Sequence, residues 1–200
     1  MKKPTTVIID YGAGNIKSLG NMLSYLDVPY KITDNRDEIK NADRIIFPGQ
    51  GHFAQAMTKL NSKNMASFIQ DIVSDGKIFL GICLGLQVLF ENSEEAPGTK
   101  GLGIFKGEVK KFKTGKTPQI GWNKIKTTEN NNFLSDDYFY FVNSYYVCPQ
   151  STDIVSSFAD YHINFCASVE FQNITAVQFH PEKSSNAGVK FFKNWLEQGF

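Results

Sequence analysis

The chain has 200 residues, of which 42% are hydrophobic, enough apolar content for one medium-sized core. Its 21 Lys and Arg against 20 Asp and Glu give a net charge of +1, which excludes a strong field favouring nucleic acid or an anionic membrane. No apolar run approaches a signal peptide or a membrane span, so we expect a soluble cytoplasmic protein.

The first half of the chain alternates short apolar runs with segments of helical periodicity. Continuously apolar strands that alternate with helices indicate a parallel sheet covered on both faces. The predicted strands are Thr6–Ile9, Tyr30–Thr33, Arg44–Phe47 and Lys77–Ile82, and the predicted helices are Ile16–Leu26, one or two within Phe53–Ser74, and Cys83–Phe90.

The second half changes to short strands separated by glycine turns, and the chain closes with a helix. The strands are expected over Gly107–Phe112, Trp122–Lys126, Tyr138–Val142, Ile154–Ala159, Phe165–Glu170 and Ile174–Phe179, and the helix over Ala187–Leu196. The pattern predicts an α/β fold, a three-layer sandwich with a mostly parallel central sheet flanked by helices and antiparallel strands in the second half. We expect a single domain over residues 1–200.

Ligands of parallel sheets bind beyond the carboxyl ends of the strands. Three predicted strands end at Asp10–Asn15, Pro48–His52 and Cys83, so these segments are expected to share one rim. Gly81 and Gly85 flank Cys83 in a G-x-C-x-G pattern, typical of a strained turn that exposes a nucleophile between a strand and a helix. The start of the following helix would favour the reactive thiolate, which indicates acyl-transfer chemistry.

A thiol nucleophile needs a base, and the chain has three histidines. His162 lies in a turn-like polar segment typical of the surface, and His52 is equally well explained by loop packing. His180 follows a predicted strand, and Glu182, two residues on, would lie on the same side of an extended segment. Glu182 would orient the imidazole of His180 for proton transfer from Cys83.

The reaction also needs donors for an oxyanion. The N–H of Leu84 is one candidate, from the geometry of the turn. The second would come from Pro48-Gly49-Gln50-Gly51, where glycines can turn an N–H inward, although an ordinary strand-to-helix turn explains this segment equally well. The other cysteines, Cys148 and Cys166, are scattered; no metal motif or cofactor site is expected.

Two motifs resemble the paired signatures of class I, triad-type glutamine amidotransferases. They are Gly81-Ile82-Cys83-Leu84-Gly85-Leu86-Gln87 and Gln178-Phe179-His180-Pro181-Glu182-Lys183-Ser184. Four further segments are similar to the glutaminase subunits of imidazole glycerol phosphate synthases: DYGAGN at 10–15, PGQGHF at 48–53, IGWN at 120–123 and YFVNSY at 140–145.

The resemblance implies hydrolysis of L-glutamine through a thioester on Cys83, with ammonia passed to a cyclase partner that forms imidazole glycerol phosphate and AICAR in histidine biosynthesis. That partner would be a (β/α)8 barrel in a heterodimer. Carried over by position, the glutamine-binding residues would be Gly51, Gln87, Glu95, Ser144 and Tyr145. The residues near the partner would be Asn15, Trp122, Tyr140 and Lys183.

Two positions depart from the family pattern. Gln50 stands where a small apolar residue is common, on the strand whose peptide must flip to complete the oxyanion hole, and Asn143 stands where histidine is common. Gln50 gives some weight to an alternative partner, a sugar-amidating enzyme of surface polysaccharide synthesis. A stand-alone cysteine hydrolase and a non-catalytic binding module are further alternatives; the second is disfavoured because Cys83, His180 and Glu182 are all present.

Overall fold

The computed structural model describes residues 4–12 and 16–197, which form a large sheet between helices. The helices are α1 (Ile16–Tyr25), α2 (Arg36–Lys40), α3 (Phe53–Ser62), α4 (Met65–Ser74), α5 (Leu84–Gln87) and α6 (Ser185–Leu196). The strands are β1 (Thr6–Ile9), β2 (Tyr30–Thr33), β3 (Arg44–Phe47), β4 (Ile78–Ile82), β5 (Asn92–Ser93), β6 (Gly107–Lys111), β7 (Gln119–Thr127), β8 (Tyr138–Asn143), β9 (Tyr145–Pro149), β10 (Val155–Asp160), β11 (Asn164–Phe171) and β12 (Ile174–Val177).

The sheet has a parallel half and an antiparallel half. Its main path runs β2-β1-β3-β4-β12-β11-β10-β7-β8, with β9 joined to β11 and β6, and β5 joined to β6. Neighbouring strands from β2 to β12 are parallel, and β12, β11, β10, β7 and β8 alternate in direction. The predicted mixed architecture is therefore confirmed.

The apolar residues form two clusters, one on each face of the parallel strands. Successive residues of a strand point to opposite faces, and Ile45 belongs to one cluster while Ile46 belongs to the other. Helices α3 and α4 cover the first face, and α1 and α6 cover the second. Strands buried on both sides explain why their sequences are continuously apolar.

The helix predicted over Cys83–Phe90 is wrong in length, because α5 ends at Gln87. The carbonyls of Val88, Leu89 and Phe90 accept hydrogen bonds from the N–H groups of the loop that begins at Gly101, at 2.7–3.2 Å. Long-range bonds thus replace the helical ones, an exchange that periodicity does not reveal.

The structure also differs from the prediction at other elements. Strand β12 stops at Val177 rather than Phe179, because the N–H of His180 donates to the Tyr140 carbonyl of β8 at 2.8 Å. The sequence predicts no strand at Tyr145–Pro149, yet β9 forms there, separated from β8 only by Ser144. Helix α2 is also unpredicted, and the side chain of Asn35 caps it by accepting from two N–H groups.

None of the helices in the described part of the chain combines the length and hydropathy of a membrane span.

Candidate active site

The carboxyl ends of β1, β3 and β4 meet at one edge of the sheet. These strands are parallel and adjacent, so the segments that follow them lie side by side, as the sequence predicts. After β1, the carboxylate of Asp10 accepts a hydrogen bond from the N–H of Gly12 at 2.9 Å. The segment continues through Asn15, a predicted partner residue, which lies outside the described residues.

Cys83 occupies a strained turn between β4 and α5. Its backbone has φ 55° and ψ −105°, a conformation that costs a non-glycine residue about 1–3 kcal/mol. The N–H of Cys83 donates to the Val177 carbonyl at 2.7 Å, which fixes the turn to the sheet. A Cβ on Gly81 would lie 2.8 Å from the Gly85 carbonyl oxygen, so the first glycine of the motif is required by close packing.

The second glycine of the motif packs against the neighbouring strand. A Cβ on Gly85 would lie 2.3 Å from the carbonyl oxygen of Phe47, the last residue of β3. A Cβ on Gly49 would in turn lie 2.5 Å from the Gly85 nitrogen. The cysteine turn and the segment after β3 therefore interlock through backbone atoms.

The short α5 weakens one sequence-based argument. The expected support of a thiolate by a helix dipole requires several turns of aligned peptides, and α5 has one. The N–H groups of Leu86 and Gln87 donate to the Cys83 carbonyl, at 3.0 and 3.2 Å. The N–H of Leu84, next to the nucleophile, remains the predicted oxyanion donor on this side.

His180 and Glu182 lie together beside Cys83, and all three side chains are almost fully buried. The Nδ1 atom of His180 is 2.8 Å from a carboxylate oxygen of Glu182, and His180 lines the same cavity as Cys83. Glu182 reaches the ring from a 3-10 turn at Pro181–Lys183, which corrects the extended geometry expected from the sequence.

The electrostatics of His180 favour its charged form. Burial lowers the pKa of the imidazole, but attraction to the Cys83 thiolate and hydrogen bonds with Cys83 and Glu182 outweigh it and raise the pKa to about 10. The imidazole is thus suited to hold a proton beside a thiolate. In this state Cys83 is a nucleophile and His180 an acid for a departing amine.

A cavity of about 460 Å³ opens above Cys83, and it contains every residue that the sequence assigns to glutamine binding. Its lining includes Gln50, Gly51, Cys83, Leu84, Gln87, Glu95, Asn143, Ser144, Tyr145, His180 and Lys183. A larger depression of about 660 Å³ lies at the amino ends of β1 and β2. Because ligands of parallel sheets bind at the carboxyl ends, the cavity above Cys83 is the candidate site.

The surroundings of Glu95 and Tyr145 define two polar groups of the cavity. A carboxylate oxygen of Glu95 accepts from the N–H of Phe53 at 2.7 Å, at the start of α3. Burial, followed by the nearby charges of Glu95 and Glu94, raises the pKa of the Tyr145 hydroxyl. Tyr145 therefore stays a neutral donor in this cavity.

The other histidines do not join the site. Nδ1 of His52 accepts from the N–H of Ala54 at 3.2 Å and caps α3, which supports the loop-packing interpretation. His162 has a positive φ of 61° and packs against Tyr161, as expected of a turn. Within residues 4–12 and 16–197 no cluster of acidic, histidine and cysteine side chains is suited to a metal ion.

An exposed aromatic face, formed by Trp122, Tyr138 and Tyr140 with Ile120, lies on the hairpin of β7 and β8. Trp122 and Tyr140 are cross-strand partners with ring centroids 6.0 Å apart, and Lys183 lines the cavity. Ile120 and Tyr138, which the sequence does not predict near a partner, extend this face. Exposed fractions are 64% for Ile120, 54% for Trp122 and 55% for Tyr138.

The chain is similar to proteins of a known family along almost its whole length. Residues 7–198 match the pattern of the family described as "Glutamine amidotransferase class-I". A Pyrococcus furiosus protein named imidazole glycerol phosphate synthase subunit HisH is 44% identical, over 94% of this chain and 96% of its own length. The chain belongs to the class I glutamine amidotransferase family. An Aquifex aeolicus HisH protein is 42% identical over 95% of both chains.

Two further comparisons place this amidotransferase chain in context. An Arabidopsis thaliana protein named imidazole glycerol phosphate synthase hisHF, chloroplastic, is 41% identical over 94% of this chain but only 33% of its own length. A solved glutamine amidotransferase structure superposes with a TM-score of 0.77 at 16% identity, covering 96% of this chain and 97% of its own. At that identity the structural likeness shows the fold alone.

One residue of the amidotransferase site escaped sequence reasoning. Gln178 lies in the terminal motif without a predicted role, yet its side chain contacts the sulfur of Cys83. The pairing of two strands could have predicted this contact. Gln178 follows β12, which is parallel to β4, and β4 ends directly before Cys83.

Proposed function

We propose that residues 1–200 form a single amidotransferase domain, the glutaminase subunit of an imidazole glycerol phosphate synthase. It hydrolyses L-glutamine to glutamate and ammonia. The observation that carries this proposal is the contact of Cys83, His180 and Glu182 at the base of a cavity, in a chain 44% identical to a protein named as that subunit. No cofactor takes part in this chemistry.

The geometry supports a two-step acyl transfer. The Cys83 thiolate attacks the side-chain carbonyl carbon of glutamine, and the resulting oxyanion is held by the N–H of Leu84 and an N–H of Gly49 or Gln50. His180, oriented by Glu182, donates its proton to the departing ammonia and leaves a γ-glutamyl thioester. The neutral imidazole then takes a proton from water, and hydrolysis of the thioester releases glutamate.

The cavity supplies groups for the remainder of the substrate. The carboxylate of Glu95 suits the α-ammonium group of glutamine. Donors from Ser144 and Tyr145, with the backbone of Gly51, suit its carboxylate and carbonyl oxygens. The side-chain oxygen of Gln87 suits the amide NH2 group of the substrate, because the NH2 group of Gln87 already donates to Tyr145 and Gln178. A cavity of about 460 Å³ falls in the size range of small-molecule sites, about 300–1,000 Å³.

The ammonia requires an acceptor, which we propose is a cyclase of the (β/α)8-barrel class that makes imidazole glycerol phosphate and AICAR in the cytoplasm. Trp122, Tyr140, Lys183 and Asn15 would meet it in a heterodimer. The exposed aromatic face on β7 and β8 supports a protein partner, because aromatic residues are enriched at such interfaces. The Arabidopsis thaliana relative, about three times as long, bears a name that joins the two subunits.

The deciding experiment is reconstitution of the chain with a candidate cyclase. The Cys83→Ala variant should lose at least 10³-fold of the glutamine-dependent synthesis and keep the ammonia-dependent synthesis, because added ammonia bypasses the thiol. The matched control is Cys148→Ala, a half-buried cysteine of β9 outside the cavity, which should keep both activities. Equal loss of both activities in Cys83→Ala would contradict the proposal.

A further inference from the structure

Gln178 is a fully buried polar residue at the end of β12. Its N–H donates to the Ala167 carbonyl of β11 at 2.8 Å, which continues the ladder by one residue. Strands β12 and β4 are parallel with Val177 beside Ile82, so the next residue on each strand is Gln178 beside Cys83. The sheet register therefore brings a glutamine amide to the nucleophile.

The Gln178 side chain connects two residues of the site. Its Nε2 atom lies 3.6 Å from Sγ of Cys83, within hydrogen-bonding distance for sulfur. Its Oε1 atom accepts from Nε2 of Gln87 at 3.1 Å. Gln178 itself is absent from the cavity lining, so it touches the sulfur from the protein side and not the substrate.

The direction of the Gln178 amide is determined by a backbone carbonyl. Nε2 of Gln87 also donates to the Tyr145 carbonyl at 3.2 Å, and a carbonyl can only accept. The NH2 group of Gln87 must therefore be the donor in both bonds, and the side-chain oxygen of Gln178 must be the acceptor. A reversed Gln178 amide would place two NH2 groups against each other, so its donor side faces the sulfur.

We propose that Gln178 is a positioning residue for Cys83, whose amide N–H holds the sulfur in place and favours its thiolate form. A donor that bonds the charged form of a group stabilises that form. Gln87 then has a second role, because it orients Gln178 even when no glutamine is bound. The effect of Gln178 on turnover rests on the proposed glutaminase function; its effect on the thiol does not.

The test is the pH dependence of Cys83 alkylation by iodoacetamide, followed by mass spectrometry of the Cys83 peptide. The Gln178→Met variant keeps the side-chain length but loses the donor, so the half-maximal pH should rise by about one unit. Gln178→Glu, which puts an acceptor against the sulfur, should raise it further. In Gln178→Met, kcat for glutamate release should fall about tenfold, with KM changed less than about twofold.

The matched control is Gln70→Met. The Gln70 amide also donates to a backbone carbonyl, that of Leu102, but contributes nothing to the cavity, so the alkylation profile should not move. Gln87→Met should raise the half-maximal pH without glutamine present, which a purely substrate-binding Gln87 would not do. If Gln178→Met fails to fold, the alkylation profiles of Gln178→Glu and Gln87→Met test the positioning role.

An unchanged alkylation profile in the folded Gln178 variants would overturn the positioning role. Wild-type glutamate release measured alongside separates the two proposals. A shifted profile in a protein that releases no glutamate would overturn the proposed function and leave the positioning role standing.

Discussion

At the scale of single residues, the site depends on a strained cysteine that its neighbours hold in place. Cys83 keeps a φ of 55° because its N–H is bonded to β12 and glycines pack against the turn. The sulfur then accepts from the amide of Gln178, and it shares its cavity with the imidazole of His180. Strain that costs about 1–3 kcal/mol is thus confined to one residue and presents the thiol to the cavity.

The raised pKa of His180 makes a prediction about stability. The folded protein binds the imidazole proton more tightly than the unfolded chain does, since the pKa rises from 6.5 to about 10. The contribution of His180 to the free energy of unfolding should therefore be fully present below pH 6.5 and be lost as the pH rises through about 10. Urea unfolding of the wild type and His180→Asn across this range should show a difference that shrinks with pH.

Cys83→Ala provides the control for this measurement. It keeps the imidazole but removes the thiolate, the strongest influence raising the His180 pKa. Stability of Cys83→Ala should therefore fall less steeply with pH than that of the wild type. Parallel curves for the two proteins would show that Cys83 does not hold the proton on His180.

At the scale of elements, continuously apolar strands were predictable and long-range bonds were not. Strand β3 was predicted with its observed bounds, because Arg44 is followed by three apolar positions that end at Pro48-Gly49. The end of α5 was not, because carbonyls after Gln87 are bonded by a loop that begins at Gly101. The roles of Cys83 and His180 were predictable from sequence motifs. The contact of Gln178 with Cys83 was not, because it depends on the register between β4 and β12.

Strand β8 joins the exposed aromatic face to the candidate site. The Tyr140 carbonyl accepts from the N–H of His180 at 2.8 Å, and the Tyr140 N–H donates to Oγ of Ser184 at 3.0 Å. The Ser184 hydroxyl in turn donates to the His180 carbonyl at 2.7 Å. A single residue of β8 thus carries an exposed-face side chain and, through its backbone, positions the histidine.

This arrangement predicts the effect of Ser184→Ala. Loss of the buried hydroxyl leaves the Tyr140 N–H without its acceptor and should lower the free energy of unfolding by about 1–3 kcal/mol. It should also lower kcat for glutamate release, because the His180 backbone keeps its direct bond to the Tyr140 carbonyl but loses the second link to β8 through the hydroxyl. Ser62→Ala, which removes an exposed hydroxyl bonded to the Lys59 carbonyl, should change neither quantity measurably. A destabilised Ser184→Ala with unchanged kcat would show a structural role only.

At the scale of the whole molecule, the parallel and antiparallel halves supply different parts of the site. The parallel strands β3 and β4 end at the glycine-rich segment and at Cys83, and β12 leads into His180 and Glu182. The antiparallel strands β8 and β9 contribute Asn143 and Tyr145 to the cavity, with Ser144 between them. The glycine-rich segment after β3 and Glu182 are separated by about two-thirds of the chain, so the meeting of these residues follows only from the complete sheet.

The exposed aromatic face is the surface that should bind the cyclase in the proposed heterodimer. Trp122→Ala should weaken binding of the cyclase by at least about 2 kcal/mol, roughly 30-fold in Kd, because a large aromatic side chain at the centre of an interface contributes most to affinity. Isothermal titration calorimetry with the purified partner measures this change, and circular dichroism confirms that the variant is folded.

Tyr25→Ala is the matched control for that measurement. Tyr25 is 75% exposed and ends α1, which runs back from the carboxyl edge of the sheet, so it lies at the opposite end of the molecule from the cavity. Its removal should leave Kd unchanged. Equal Kd values for wild type, Trp122→Ala and Tyr25→Ala would place the partner elsewhere. If the cyclase covered Trp122, removal of its side chain would lower the affinity.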